Sequence, residues 1–194
     1  MRYTNGAANN WRDVGCIEIG LWDIVGKVVD QPLYKLWGAH KDKVPAYASM
    51  IQLSTPEERA EQAARLKAEG WQGMKIRLHH LEMKEDIRTI ERVRDAVGDD
   101  FTIMTDANQA QSSGTWQPGI QWDFARALDT ARALGDMNVY WLEEPLHPDD
   151  FDGHKLLKER VPWMRWTSGE HEYTRYGFRK LIESRSVDIL QPDV

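Results

Sequence analysis

Val139-Tyr-Trp-Leu-Glu-Glu-Pro145 is a short apolar run that ends in acidic residues, and it decides the fold class of this chain. Two further runs have the same form, Thr102-Ile-Met-Thr-Asp-Ala-Asn108 before it and Met164-Arg-Trp-Thr-Ser-Gly-Glu170 after it. Each run has the length and apolar content of a buried β-strand, and a stretch with helical periodicity follows each one. The spacing between the runs holds about one strand-helix unit, which predicts consecutive βα units.

The same alternation extends in both directions from these runs. We predict six strands, at residues 44–49, 73–78, 102–108, 139–145, 164–170 and 187–193, with helices at 55–68, 84–97, 122–134, 152–160 and 174–184 between them. No antiparallel hairpin signal is present, so the sheet is predicted to be parallel, either open and doubly wound or closed as a barrel. A dinucleotide-binding fold is disfavoured because no glycine-rich phosphate turn follows any strand.

Two segments stand outside this regular alternation. Residues 11–28 have apolar side chains at three- and four-residue steps, which predicts an amphipathic helix, with Asp23 and Lys27 one turn apart as an ion pair. A short helix is predicted at residues 33–37. Residues 112–119 interrupt the connection after the third strand, and this loop either borders a substrate or is a variable insertion.

Length and composition bound the class of protein. The 194 residues are fewer than the about 250 of a typical eight-fold β/α barrel. A net charge of −6 without basic blocks excludes a nucleic-acid footprint or a polybasic membrane patch, and no apolar stretch approaches a membrane span. The single cysteine, Cys16, and the polar start predict a cytoplasmic protein that acts on small molecules.

Three acidic residues at successive strand ends predict one metal site. The carboxyl ends of parallel barrel strands converge on one face, which brings Asp106, Glu143 and Glu170 together. Because three carboxylates repel, a hard divalent cation is expected, and an all-oxygen set favours Mg²⁺ over Zn²⁺ or copper. The alternative is that each acid caps the following helix or pairs with a Lys or Arg.

Two cations and an amide accompany these acids. Lys75 and Arg77 share one face of the second strand, where Lys75 would orient a substrate carboxylate or transfer a proton with a depressed pKa. Arg77 stays protonated and suits a carboxylate or developing negative charge; ion pairing inside the barrel is the alternative for both. Asn108 shares the face of Asp106 and is placed to contact a ligand, although Asn is also common at strand ends for turn formation.

Histidines and one further acid lie near the predicted mouth. His171 follows Glu170, and His79 and His80 follow the second strand; taken singly, each suits a surface or supporting position better than a catalytic base. Asp193 ends the sixth predicted strand, where a carboxylate can hold and polarise a histidine. No histidine follows Asp193 in this sequence.

Together these motifs resemble the mandelate racemase subgroup of the enolase superfamily, from about residue 15 to the end. The matching motifs are Leu21-Trp-Asp-Ile-Val-Gly-Lys27 with Pro32-Leu33, Lys75-Ile-Arg77, Thr105-Asp-Ala-Asn-Gln109, Trp141-Leu-Glu-Glu-Pro145, Ser168-Gly-Glu-His171 and Gln191-Pro-Asp193. Each motif alone is weak, but their order and spacing are specific. The last stretch most resembles acid-sugar dehydratases of the rhamnonate type.

The resemblance implies a fold and a set of roles. It implies a partial TIM-type barrel of about six strands at residues 44–194, and a remnant of an N-terminal capping domain with its linker at residues 1–43. It makes Asp106, Glu143 and Glu170 the Mg²⁺ ligands, with Glu144 a neighbour and Asp193 the acidic half of a His-Asp dyad. Catalytic roles fall on Lys75, Arg77 and Asp193, and substrate-binding roles on Asn108 and His171.

The implied reaction is dehydration of an acid sugar, an aldonate or aldarate. A proton is removed next to the carboxylate through a metal-stabilised enediolate, and loss of the β-hydroxyl gives a 2-keto-3-deoxy acid. Arg77 stands where the family often has a second Lys, which favours initiation by a histidine. A racemase or cycloisomerase of the same superfamily and a non-catalytic metal-binding fragment are the alternatives.

The ends of the chain also depart from the family pattern. The histidine expected on a seventh strand and most of the capping domain are not in this sequence, so we expect a chain truncated at both ends with weak or no turnover. Loss of a general base typically lowers a rate by about 10²- to 10⁴-fold. A homo-oligomer is expected of the full-length protein.

Overall fold

The computed structural model of the chain describes residues 7–111 and 120–193. Contacts divide the chain into two compact units, the first ending at Pro45 and the second beginning at Ala46. The loop predicted at residues 112–119 lies outside the described ranges. Within those ranges, no helix is long and apolar enough to cross a membrane.

Two helices make up the described part of the first unit, α1 (Ala7–Val28) and α2 (Leu33–Leu36). Lys27 Nζ lies 2.6 Å from Asp23 Oδ2, which confirms the predicted pair, and both side chains are exposed. Such a pair stabilises a helix only by about 0.3–0.5 kcal/mol. The rings of Trp22 and Trp37 pack edge to face, with their centroids 5.2 Å apart. The assignment of these helices to a capping domain stays a prediction.

The second unit alternates strands and helices. Its strands are β1 (Ala48–Met50), β2 (Gly73–Arg77), β3 (Thr102–Asp106), β4 (Val139–Glu143), β5 (Arg165–Ser168) and β6 (Ile189–Leu190). The connecting helices are α3 (Pro56–Ala68), α4 (Met83–Val97), α5 (Phe124–Gly135), α6 (Phe151–Arg160) and α7 (Thr174–Ser184), and a short 3-10 helix (Gln109–Gln111) follows β3. All neighbouring strands are parallel and lie in chain order in one sheet. The predicted α/β class and partial barrel are confirmed.

The sheet separates a hydrophobic core from a polar inner face. On β2, Met74 and Ile76 are fully buried in the core, where Ile90 and Val93 of α4 belong to the same apolar cluster. Because successive side chains of a strand point to opposite faces, the residues between them face the other way. Lys75 is one of those residues, and it therefore lies on the face that carries the polar site.

Local sequence signals account for several element boundaries. Helix α3 begins with a reciprocal capping box, in which Thr55 Oγ1 accepts from the backbone N–H of Glu58 at 3.2 Å. Glu58 Oε2 in turn accepts from the backbone N–H of Thr55 at 3.0 Å. Pro56 occupies the first turn, where its missing N–H removes no helical hydrogen bond.

All six strands are shorter than predicted, and β1, β5 and β6 differ most. β1 begins at Ala48 rather than at residue 44, since Pro45 has no N–H to donate to a sheet. β5 ends at Ser168, because Gly169 has a positive φ of 130° and leaves the extended conformation, so Glu170 lies in the following turn. β6 ends at Leu190, and Asp193 lies beyond it on the far side of Pro192.

Candidate metal centre

Charged residues form one row across the ends of three neighbouring strands. Arg77 of β2 is the register partner of Asp106 of β3, which in turn is the register partner of Glu143 of β4. Side chains at partnered positions of a parallel sheet lie side by side on the same face. The row therefore brings two of the three predicted metal ligands, Asp106 and Glu143, next to each other and next to a cation.

Lys75 joins the two acids of this row. Its Nζ lies 2.8 Å from both carboxylate oxygens of Glu143 and 3.2 Å from Asp106 Oδ2. Arg77 Nη1 lies 3.5 Å from the same Asp106 oxygen. The side chains of Asp106 and Glu143 are 2% and 0% exposed, so these ion pairs are shielded from water. The predicted neighbourhood of acids and cations is thus present in the structure.

Burial and mutual charge alter the acidity of these groups. Burial raises the pKa of Glu143 to about 7, with a further increase from Asp106 and an opposing effect of Lys75. Burial also raises the pKa of Asp106 above its ordinary value, against the opposing charges of Lys75 and Arg77. Burial by itself would lower the pKa of Lys75, but Asp106 and Glu143 raise it, so the amine stays protonated. The depressed pKa considered for Lys75 is therefore wrong.

The third predicted ligand, Glu170, is linked to this row through Asn108. Asn108 Nδ2 donates to Glu170 Oε1 at 3.1 Å, and the backbone N–H of Asn108 donates to Asp106 Oδ1 at 2.8 Å. His171 Nε2 lies 3.3 Å from Glu170 Oε1. Asn108 is buried and has a left-handed backbone with φ of 47°, a conformation that Asn adopts more readily than most residues. It connects two predicted ligands.

Strand alternation does not predict that Glu144 lies in the site. It would face away from Glu143 if β4 continued, but its φ of 43° ends the extended conformation. Its carboxyl is buried, and neither oxygen has a hydrogen-bond partner in the described ranges. One ligand atom from each of Glu144, Glu170 and His171 lies within 4.8 Å of the others. Burial, followed by the charge of Glu170, raises the pKa of Glu144 well above its ordinary value.

The remaining predicted residues make none of the ion pairs described above for Asp106 and Glu143. Asp193 is exposed beyond the end of β6. His79 is buried, and burial followed by the charge of Arg77 lowers its pKa. His80 pairs with Asp86, with Nδ1 2.8 Å from Oδ1. Gln191, which belongs to the Gln191-Pro-Asp193 motif but was given no role there, hydrogen-bonds Glu143 and lowers the pKa of that carboxyl.

The side chains present fit a divalent ion. Carboxylate oxygens from three strand ends offer the hard ligands that Mg²⁺ prefers. The orphaned oxygens of buried Glu144 lie outside this ligand set, and a proton compensates a buried carboxyl that has no hydrogen-bond partner. Among the residues that the structure describes, the donor set contains no thiolate and one imidazole, that of His171, and this composition favours Mg²⁺ over softer ions.

Comparison with known proteins gives a consistent result. The enolase C-terminal domain-like family matches residues 58–194. A 3,6-anhydro-α-L-galactonate cycloisomerase from Streptomyces coelicolor is 30% identical over 100% of this chain and 51% of its own length. An L-rhamnonate dehydratase from Saccharopolyspora erythraea is 34% identical over 93% of this chain and 43% of its own length.

A solved structure agrees with these relatives. The crystal structure of a racemase from Streptomyces coelicolor with bound magnesium superimposes with a TM-score of 0.80 and 31% identity. The match covers 91% of this chain and 50% of that one. The chain spans about half the length of the curated relatives it matches.

Proposed function

Since the chain belongs to the enolase C-terminal domain-like family of the enolase superfamily, we propose that it carries the metal site of a Mg²⁺-dependent acid-sugar dehydratase. The proposal rests on one observation. Arg77, Asp106 and Glu143 lie side by side at the ends of three strands, and Lys75 contacts both acids. A site with buried acids and two cations suits a substrate that is an anion and reacts next to its carboxylate.

We propose Asp106, Glu143 and Glu170 as the residues that hold the ion, with Glu144 and Asn108 beside them. Asn108 fixes the orientation of Glu170 relative to Asp106 through its side-chain and backbone hydrogen bonds. When bound, Mg²⁺ supplies positive charge that holds the substrate carboxylate and favours loss of the neighbouring proton. Lys75 and Arg77 add fixed positive charge on the same side.

The proton itself requires a base that this row does not provide. Without a bound ion, Lys75 is held protonated by the acids around it, and Arg77 is a guanidinium with no lone pair to offer at neutral pH. We therefore propose a histidine as the base, with Asp193 to polarise it, His171 near the substrate and loss of the β-hydroxyl as the next step.

A thermal-stability experiment tests the substrate class. We expect aldonates and aldarates to raise the melting temperature of the chain when Mg²⁺ is present and to have no effect in chelator. The matched aldoses, which have similar hydroxyl groups but no carboxylate, are the control. Equal stabilisation by aldoses, or stabilisation by acids without Mg²⁺, would contradict an acid-sugar site.

A second candidate function is isomerisation on the same site. It is favoured by the cycloisomerase relative, whose similarity extends over the whole of this chain. Incubation of a full-length version with acid sugars in deuterated water separates the two reactions. A 2-keto acid product supports dehydration, whereas deuterium exchange or ring opening without a keto product supports racemisation or cycloisomerisation.

A non-catalytic role as a metal-binding fragment is the remaining alternative. It predicts Mg²⁺ binding without stabilisation by any acid sugar. A cytoplasmic location and a homo-oligomeric full-length protein also stay predictions.

A further inference from the structure

Lys75 makes more contacts with the proposed metal ligands than any other cation in the described ranges. Its ammonium has three N–H donors, and it lies 2.8 Å from each oxygen of Glu143 and 3.2 Å from Asp106 Oδ2. Its side chain is 11% exposed. The donors of Lys75 are therefore directed at the same carboxylate oxygens that would bind a divalent ion.

These contacts offset the repulsion of two buried acids. Opposite charges at hydrogen-bond distance attract strongly when water is excluded, whereas a buried carboxylate that loses its partner is destabilising. Arg77 contributes less to this compensation, because in the described ranges its ion pair is with Asp106 alone, at 3.5 Å. Lys75 is thus the main positive charge that serves both acids.

A divalent ion on these acids would need the lone pairs that Lys75 contacts, and it would bring two like charges close together. We propose that Lys75 is an internal cation that competes with the divalent ion for Asp106 and Glu143. This inference rests on the proposed function, in which Asp106 and Glu143 hold Mg²⁺.

Mg²⁺ titration of variants tests the competition. Lys75→Met removes the charge, and Lys75→Gln removes it but keeps an N–H donor, so two different side chains probe the same loss. Lys155→Met is the matched control. Lys155 is exposed on α6, and its substitution changes the net charge by the same amount. The readouts are the Mg²⁺ dissociation constant from calorimetry and the melting temperature in chelator.

The competition predicts opposite effects on the two readouts. Both Lys75 variants should melt at a lower temperature than Lys155→Met in chelator, because Asp106 and Glu143 lose a charge partner. Both should bind Mg²⁺ at least about tenfold more tightly than the wild type, and saturating Mg²⁺ should restore their melting temperature. A variant that folds only with Mg²⁺ present is the extreme form of this result.

Other results overturn the inference in distinguishable ways. If the wild type binds Mg²⁺ and the Lys75 variants bind it no more tightly, the competition is wrong while the metal site stands. The same conclusion follows if Mg²⁺ fails to restore the variants. If the wild type itself binds no Mg²⁺, the metal site of the proposed function is wrong, and the inference falls with it.

Discussion

Half-buried His80, in the loop after β2, pairs with buried Asp86 of α4. Asp86 Oδ1 accepts from the backbone N–H of His80 at 3.2 Å and lies 2.8 Å from its Nδ1, while Arg126 Nη2 donates to Asp86 Oδ2 at 2.7 Å. The hydrogen bond to Asp86 raises the pKa of His80, against the opposing effect of burial. Asp86 therefore contacts both His80, in the loop after β2, and Arg126, near the start of α5.

Because the folded pKa of His80 is raised, its protonated form stabilises the fold. That contribution is complete below the unfolded value of about 6.5 and is lost as the pH rises through the raised folded value. We expect His80→Gln to lower the free energy of unfolding by about 1 kcal/mol more at about pH 5.5 than at about pH 8.5. Urea unfolding at both pH values measures the difference.

The control for this prediction is His40→Gln, which removes an exposed histidine from the first unit. Its effect is subtracted at each pH, so that only the contribution of the Asp86 pair remains. A corrected loss for His80→Gln that is the same at both pH values, or larger at the higher one, would contradict the assigned pair.

At the scale of elements, the turn from β5 to α7 positions Glu170. Gly169 precedes Glu170 with φ of 130°, a region that side-chain-bearing residues rarely adopt. A Cβ at this position would lie 3.0 Å from Phe178 Cε1 and 3.3 Å from the backbone N of Gln191. Position 169 therefore requires glycine for two reasons, its positive φ and the close approach of Phe178 and Gln191.

Gly169→Ala should lower the free energy of unfolding by about 2–4 kcal/mol, the sum of backbone strain and crowding. It should also weaken Mg²⁺ binding, because Glu170 moves with the turn. Gly70→Ala is the matched control, since Gly70 has a φ of 95° but nothing within 4 Å of the added Cβ. Urea unfolding that finds equal losses in the two variants would rule out the crowding at Gly169.

Arg94 connects three elements at the opposite end of the strands. Its guanidinium donates to the carbonyl oxygens of Gly98 and Phe101 at 2.6 and 2.8 Å, which ties the end of α4 to the start of β3. It also donates to Met137 and Asn138 at 3.0 Å each, in the turn before β4. A planar fork with five donors can serve four carbonyls at once, whereas a lysine cannot.

Arg94→Lys should therefore lower the free energy of unfolding by about 2 kcal/mol. Arg92→Lys is the control, because Arg92 is exposed on the same helix and makes one 3.8 Å contact, to Glu57, that should cost under about 0.5 kcal/mol to alter. Chemical denaturation of both variants measures this. Similar losses would mean that the four carbonyl contacts contribute little to stability.

At the scale of the whole molecule, regular periodicity made the fold predictable. The sequence located each strand of the sheet, and it paired Asp106 with Glu143 because both end strands at matched positions. The exceptions lie where the backbone leaves regular geometry. Glu170 and Glu144 depend on positive φ values at Gly169 and at Glu144 itself, which strand alternation does not encode. The carbonyl contacts of Arg94 depend on tertiary packing and have no local sequence signal.

The sheet as a whole places the proposed metal ligands in the second unit. Its two edge strands are β1 and β6, and the ligands lie on the strands between them or in the turn after β5. Because β3 and β4 are interior strands, their ends are held by backbone hydrogen bonds on both sides. We therefore expect ion binding to be a property of this sheet, independent of turnover.

The most direct test of that claim is Mg²⁺ binding measured by calorimetry for single-acid variants. We expect Asp106→Asn and Glu143→Gln each to weaken Mg²⁺ binding by at least about tenfold. Glu144→Gln should stay within about threefold of the wild type, as should Glu57→Gln, which removes an exposed acid from α3. A loss of binding in Glu144→Gln with unchanged binding in Asp106→Asn would contradict the account and move the ion to Glu144, Glu170 and His171.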